Sequence, residues 1–373
     1  MKKIISIALA LLMVAVMLPV MAMAAEVTTA KDLKAAVAAG GEVTLGDNIT
    51  ASITIPKDKT VTLNLNGKTL TNEADMDTIT VALGGTLTIE GTGTVDNDSH
   101  GRAAVYNNGT VTINGGTYTR SAEKGTGKDP DSNNGNSWYT ICNHGVMTVN
   151  AGVTVTNTGT FSSVFENGYQ SYTGNNERSN YVAGTNNAAP ALTINGGTFE
   201  GGKITIKNDD GGILKIGGGR FTNNGNRVVF NANKAEINGG EFYCPATYFG
   251  NEIAVDTLYA DGGQNAGQLT ITGGTFDGKV TQSNGAVTTV SGGTFKKGVD
   301  KSYIVDGKKL DANGNVVPDT ITIIVPSDGG NTTTTPSTDN TKNPGTGAND
   351  FVGVAAAMAV VSLLGAAAVI RKK

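Results

Sequence analysis

Side chains that could do acid–base or metal chemistry are few in this chain. Asp209 and Asp210 stand together after Asn208, Asp96 and Asp98 flank Asn97, and the two histidines are His100 and His144. Cleaving a glycosidic bond takes two carboxyl groups at a defined separation, one of them often with a raised pKa. A calcium site takes several oxygens converging from neighbouring strands. Both Asp pairs fall in segments of Asn, Asp and Gly, residues that favour turns for reasons of backbone geometry alone. Two histidines are too few for a convincing metal site, and no nucleophile elbow, phosphate loop or zinc motif is present. The expectation is therefore no catalytic residue, no cofactor and no metal.

The aromatic residues suggest recognition instead. Residues 120–137 are polar and end at Trp138-Tyr139, and Trp138 is the single Trp of the chain. Residues 168–189 carry Tyr169, Tyr172 and Tyr181 among Asn, Ser and Gly. Flat, stiff, amphipathic rings beside amides and hydroxyls suit a sugar face or a protein contact. Trp138, Tyr139, Tyr169, Tyr172 and Tyr181 form the candidate ligand patch. A third insertion, Tyr243–Gly250, is read as a separate feature.

The elements that position these residues come from a repeat. Ile194-Asn-Gly-Gly-Thr-Phe199, Ile216-Gly-Gly-Gly-Arg-Phe221, Ile237-Asn-Gly-Gly-Glu-Phe242, Ile271-Thr-Gly-Gly-Thr-Phe276 and Val290-Ser-Gly-Gly-Thr-Phe295 share one frame, and Ile113–Tyr118 is a sixth copy. Weaker copies pass through Leu65, Ile89 and Val149, and the short spacings cluster at about 20–24 residues. Each unit divides again into three short strands, as in Leu192–Ile194, Thr198–Phe199 and Lys203–Lys207. The third strand has counterparts at Ala103–Tyr106, Tyr139–Cys142, Ser163–Glu166, Val228–Phe230, Thr257–Tyr259 and Lys279–Thr281.

Three strands per turn of this length resembles the right-handed parallel β-helix of the pectate-lyase-like superfamily. The expected fold is all-β, with about 9–11 coils over 43–300. Stacked Ile and Phe would form its core, and the phenylalanines are core residues rather than a binding stripe. Thr29 is placed to cap a helix within 25–42 that covers the first coil. Residues 301–326 close the other end. Many members of that superfamily act on acidic polysaccharides. The Asp209-Asp210 pair resembles the Asp pair of the polygalacturonase family, and Asn143-His144-Gly145 resembles its Gly-His-Gly. The order is reversed, however, and no Arg-x-Lys follows. Cys142 and Cys244 fall four coils apart, about 19 Å along the axis at strand spacing. That is too far for a disulfide, so two free thiols are expected.

The chain ends give an address. Lys2 and Lys3, an apolar stretch and Ala22-Met23-Ala24 form a signal peptide over 1–24, cut between Ala24 and Ala25. Residues 327–342 are a polar linker with too little apolar surface to fold. Asn343-Pro344-Gly345-Thr346-Gly347, the uncharged run 351–370 and the basic tail 371–373 resemble the L-P-x-T-G cell-wall sorting signal of Gram-positive surface proteins. Asn343 stands where that family has Leu. The run is long enough for a transmembrane helix, with the cations held in the cytoplasm. The resemblance implies a sortase as partner and peptidoglycan as the final attachment at Thr346. Between Ala25 and Thr346 lie 23 basic and 31 acidic residues, a net charge of −8, which argues against nucleic acid as a partner. The sequence thus reads as a wall-linked, non-catalytic adhesin that binds glycans or surface proteins. A polysaccharide lyase or glycosidase is the alternative, and a structural spacer the third reading.

Overall fold

A computed structural model describes residues 25–99, 101–121, 139–157, 163–168, 190–209, 211–223, 226–245, 250–258, 267–283 and 285–319. The expected signal peptide, Trp138, Tyr169, Tyr172, Tyr181, the expected linker and sorting motif and the run 351–370 lie outside these residues. Among the described residues the strands form three parallel sheets of 11, 10 and 9 strands, plus one small antiparallel pair. Successive strands pass from the first sheet to the second to the third and then back, so sheet neighbours are one turn of chain apart. Nine complete three-strand coils and a final two-strand coil result, the stacked arrangement of a parallel β-helix.

Alternation within each strand sends one set of side chains inward. On the first sheet Leu63, Ile89, Ile113, Val149, Ile194, Ile216, Ile237, Ile271 and Val290 stack in register. On the second, Phe199, Phe221, Phe242, Phe276 and Phe295 stack with centroids 4.8–4.9 Å apart and planes within 9°. That spacing is the strand separation itself. The phenylalanines are buried and belong to one continuous core. Tyr118 continues their column, its hydroxyl donating to the Gly115 carbonyl at 3.0 Å.

The glycine pairs are required by the stacking. The second glycine of each turn has positive φ, from 101° to 112° at Gly197, Gly219, Gly240, Gly274 and Gly293. The first lies against the coil before it: a Cβ on Gly292 would stand 2.1 Å from the Thr272 carbonyl oxygen.

The helix Ala30–Ala39 covers the first coil as expected. Thr29 Oγ1 accepts from Asp32 N at 3.1 Å, Leu33 and Val37 are buried, and Gly40 ends the helix with φ 88°. At the far end Ile304 bridges Val290, and the antiparallel pair Lys308–Leu310 and Val316–Pro318 lies beyond it.

Three details of register differ from the sequence reading. The residue matched with Ile89 is Leu63, not Leu65, because Asn66 and Gly67, both at positive φ, lengthen that turn. The strand read at Thr257–Tyr259 is Ile253–Thr257, and Tyr243 belongs to the strand Glu241–Tyr243. Most third strands end one residue later than read, on an asparagine. Asn107, Asn143, Asn167, Asn208 and Asn231 are fully buried and form a ladder. Each Nδ2 donates to the next Oδ1, at 2.7, 2.7, 2.7 and 2.8 Å. These residues read as turn formers, but they are the polar half of the core.

Candidate functional site

The penultimate residue of each third-sheet strand points away from the core. Tyr106, Cys142, Glu166, Lys207, Phe230 and Asp256 therefore form one outward row, in register across six coils. Outward positions on a solenoid are normally solvated, yet here Cys142 is 1 % exposed and Glu166 2 %. Tyr139, one of the five patch residues, is buried above this row, in contact with Cys142 and Ala103.

Charged and polar groups converge there. Lys207 Nζ lies 2.5 Å from Asp209 Oδ2 and donates to the Tyr139 hydroxyl at 3.2 Å. The same ammonium stands 5.7 Å from the Tyr139 ring centre and 5.8 Å from that of Phe230. His144 packs edge-on against Tyr106, with Nδ1 3.2 Å from the Tyr106 hydroxyl and Nε2 3.9 Å from Glu166 Oε2. Two coils further on, Arg227 Nε donates to Asp256 Oδ2 at 2.6 Å.

By residue type, Cys142, His144 and Glu166 could be a nucleophile, a base and an orienting acid. The electrostatics oppose it. Burial pushes the Cys142 thiol well above its ordinary pKa; the Glu166 and Asp77 charges push it further, and only Arg120 pulls it back. A thiol held neutral beside a carboxylate is a poor nucleophile. Tyr139 is likewise pushed well up, first by burial and then by Glu166 and Asp209. Glu166 Oε1 is buried without a hydrogen-bond partner.

The candidates read as turn residues divide. Asp209 closes a turn through Gly212 N, but its side chain is fully buried and ion-paired rather than solvated. Asp96 receives Thr119 Oγ1 at 2.6 Å and Ser121 N at 2.9 Å and holds the start of the first insertion. Asn143 belongs to the ladder. Asp210 and His100 lie outside the described residues. Among the described residues, no group of three or more His, Cys, Asp or Glu could hold a metal ion. Nor is any described helix long and apolar enough to cross a membrane. Cys142 and Cys244 are both buried free thiols.

The two aromatic-bearing insertions attach to this same sheet. The first leaves the described chain after Ser121 and returns at Tyr139, before the strand Ile141–Asn143. The second leaves after Gly168, behind the strand Phe165–Asn167, which pairs with Ile141–Asn143. Tyr139 is thus the one patch residue the structure places, and Trp138 and Tyr169 are chain neighbours of opposite edges of two adjacent strands. The outward row itself escaped sequence reading. Aligning the third strands on their shared final Asn, as in Ile-Cys-Asn, Phe-Glu-Asn and Ile-Lys-Asn, would have exposed it.

On the opposite flank a groove of about 740 Å³ follows the stacked glycine turns, lined by Arg220, Glu241, Thr275 and Thr294 among the glycines. The coil-to-coil contacts at those glycines account for it. No protein-family model, curated protein or solved structure matches this chain.

Proposed function

We propose that this chain is an exported, wall-anchored surface protein whose right-handed parallel β-helix, of the pectate-lyase-like kind, is a non-catalytic rod for binding glycans or surface proteins. The signal peptide 1–24 directs export, and 351–370 holds the precursor in the membrane until a sortase joins Thr346 to peptidoglycan. The observation carrying the binding assignment is that both aromatic-bearing insertions attach at neighbouring strands of one sheet, around Tyr139 and a row of polar side chains. A rigid coil from which two long loops leave neighbouring strands of one sheet suits recognition better than spacing, for which insertions have no use.

A glycan array probed with the full chain and with Trp138→Ala tests this reading: wild type should bind and the variant should lose most of its signal. Binding by neither protein would reject a sugar ligand. For the address, Thr346→Ala should move the protein from the wall fraction to the membrane fraction, and an unchanged distribution would reject sortase anchoring.

A polysaccharide lyase or glycosidase is the second reading, and one observation favours it. Glu166 and Asp209, on neighbouring coils, both push the Tyr139 hydroxyl's pKa up, so two carboxylates lie near one phenol, and glycoside hydrolysis uses two carboxyl groups. Release of reducing ends or unsaturated products from pectin or host glycans, lost in Glu166→Gln and Asp209→Asn, would replace the adhesin reading.

A further inference from the structure

Coils two to six carry a second ordered surface, on the first sheet and independent of the insertions. Thr62, Thr88, Thr112, Thr148 and Thr193 occupy one outward column in register. Thr60, Thr86 and Thr110 form the column beside it, continued by Val146, Ala191 and Ile213. On the other side Asn150 Nδ2 donates to Asn114 Oδ1 at 2.7 Å and Asn195 Nδ2 to Asn150 Oδ1 at 2.8 Å, an exposed amide ladder. Neighbours repeat at about 4.8 Å along the axis and about 7 Å across it.

Three features separate this face from an ordinary solvated strand surface. Among the described residues none of the eight threonine hydroxyls has a hydrogen bond, whereas Thr78, Thr119 and Thr205 bond to protein oxygens. Glu90 is the only charged side chain among the positions named or in register with them on coils two to six. At coil seven the central column turns to Lys215 and then Glu236, and Thr270 and Thr289 resume it on the last two coils.

We propose that this face docks a neutral polysaccharide whose chains pack into flat sheets, with the sugar repeats running along the coil axis. Each threonine hydroxyl both donates and accepts, and its methyl gives an apolar contact for the C–H face of a pyranose. The amide ladder presents further donors and acceptors of fixed direction, which suits sugar hydroxyls. A flat, regularly repeating polymer can engage many such weak sites at once, so their contributions combine as in other multivalent contacts. A face with Glu90 as its single charge fits a neutral polymer rather than a strongly charged one. The proposal rests on the ectodomain being exported to meet such a polymer, and not on the aromatic insertions.

The test is depletion of the purified full-length chain from solution by microcrystalline cellulose and by chitin powder, at low salt and at about 1 M NaCl, where charge pairing is screened. The expected result is retention on at least one powder, unchanged by salt. Thr88→Lys with Thr112→Lys should lower the partition coefficient about tenfold or more, equivalent to about 1.4 kcal/mol. The melting temperature and circular dichroism of that variant should match wild type, and Thr148→Lys serves if they do not. Lys309→Ala, on the closing antiparallel pair and outside both surfaces, should be retained normally. No retention, equal retention of the lysine variants, or retention abolished by salt would overturn the proposal. Retention lost in Trp138→Ala but kept in the lysine variants would also overturn it and assign the polymer to the insertions instead. A dimer broken by the lysine variants, or adsorption to ice without adsorption to either powder, would assign the face to another occupant.

Discussion

Asn167, at the centre of the buried ladder, gives the most exacting test of how the coils are held. Its Nδ2 donates to Asn208 Oδ1 at 2.7 Å and to the Ile213 carbonyl at 3.1 Å, and its Oδ1 accepts from Asn143 Nδ2 at 2.7 Å. Asn167→Ala removes all three bonds. Asn143 Nδ2 keeps its bond to the Ala191 carbonyl, so the atoms left unpaired are Asn208 Oδ1 and one Asn143 N–H. At about 1–3 kcal/mol for each unsatisfied buried group, the cost is about 2–6 kcal/mol. Asn167→Asp has nearly the same shape but a different signature. The carboxylate can still accept from Asn143, but it faces Asn208 Oδ1 and the Ile213 carbonyl without a donor. Burial and those oxygens raise its folded pKa above the unfolded value of about 3.9. A raised acid binds more protons folded than unfolded. Its contribution is therefore fully present below about pH 4 and is lost as pH rises toward the folded pKa. Each unit of separation adds about 1.4 kcal/mol of destabilisation at neutral pH. Because solenoid repeats interact mainly with their neighbours, the loss should concentrate in coils four to six. Hydrogen exchange, read coil by coil at about pH 4 and pH 7.5 against wild type at the same pH, should show the aspartate variant opening more easily at the higher pH. An equal effect at both pH values would refute the buried ladder. So would an alanine variant within about 0.5 kcal/mol of wild type, the range of an ordinary surface substitution.

Four further outcomes follow from the packing. Phe221→Ala, between Phe199 and Phe242 in the stack, should cost about 3–5 kcal/mol in chemical denaturation. Gly145→Ala places a Cβ 2.1 Å from the Gly109 carbonyl oxygen and should destabilise by about 1–3 kcal/mol or more. Gly298→Ala meets nothing within 4 Å and bears only the strain of φ 74°, about 1–2 kcal/mol; melting curves for the pair should keep this order. A thiol reagent should modify neither cysteine in the native protein and both after denaturation, with no loss of two hydrogens in the intact mass. Glu166→Gln removes the second-largest influence raising the Cys142 pKa, after burial, so the ultraviolet absorbance of the Cys142 thiolate should rise at lower pH than in wild type.

The coil architecture was legible because its inward columns obey stacking rules. Ile194, Phe199 and the glycine pair between them must recur wherever the chain turns, so their spacing gave three strands per turn, the Phe column and the separation of Cys142 from Cys244. The asparagine ladder was not legible for a physical reason. Asn favours turns by its own local bonding, and Asn143-His144-Gly145 looks the same whether its amide is solvated or joined to the next coil. Asp209 misled in the same way, since nothing local announces that Lys207 and Tyr139 enclose it. The outward row Cys142, Glu166, Lys207 obeys no stacking rule and became visible only once the register was fixed. Leu65 was misplaced because Leu63 and Leu65 alternate identically, and only the lengthened turn at Asn66-Gly67 distinguishes them.

The outward columns are where function separates from folding, and the threonine face shows how. Threonine suits a strand, and strand propensity alone would place it at outward positions. If propensity were the whole cause, the column would continue as far as the strands do. The inward column of the same sheet runs unbroken through Ile194, Ile216, Ile237, Ile271 and Val290, so the strand environment does not change at coil seven. The outward column nevertheless switches there from Thr193 to Lys215 and Glu236, and on the second sheet the column Thr69, Thr94, Thr117, Thr154, Thr198 switches at the same coil to Arg220. A change on two sheets at one coil, with the core continuous beneath both, is not set by the backbone. It interrupts the threonine columns for two coils, with Lys215 and Glu236 on the first sheet and Arg220 and Glu241 on the second, before Thr270 and Thr289, and Thr275 and Thr294, resume them. Strand propensity accounts for the threonines but not for that interruption.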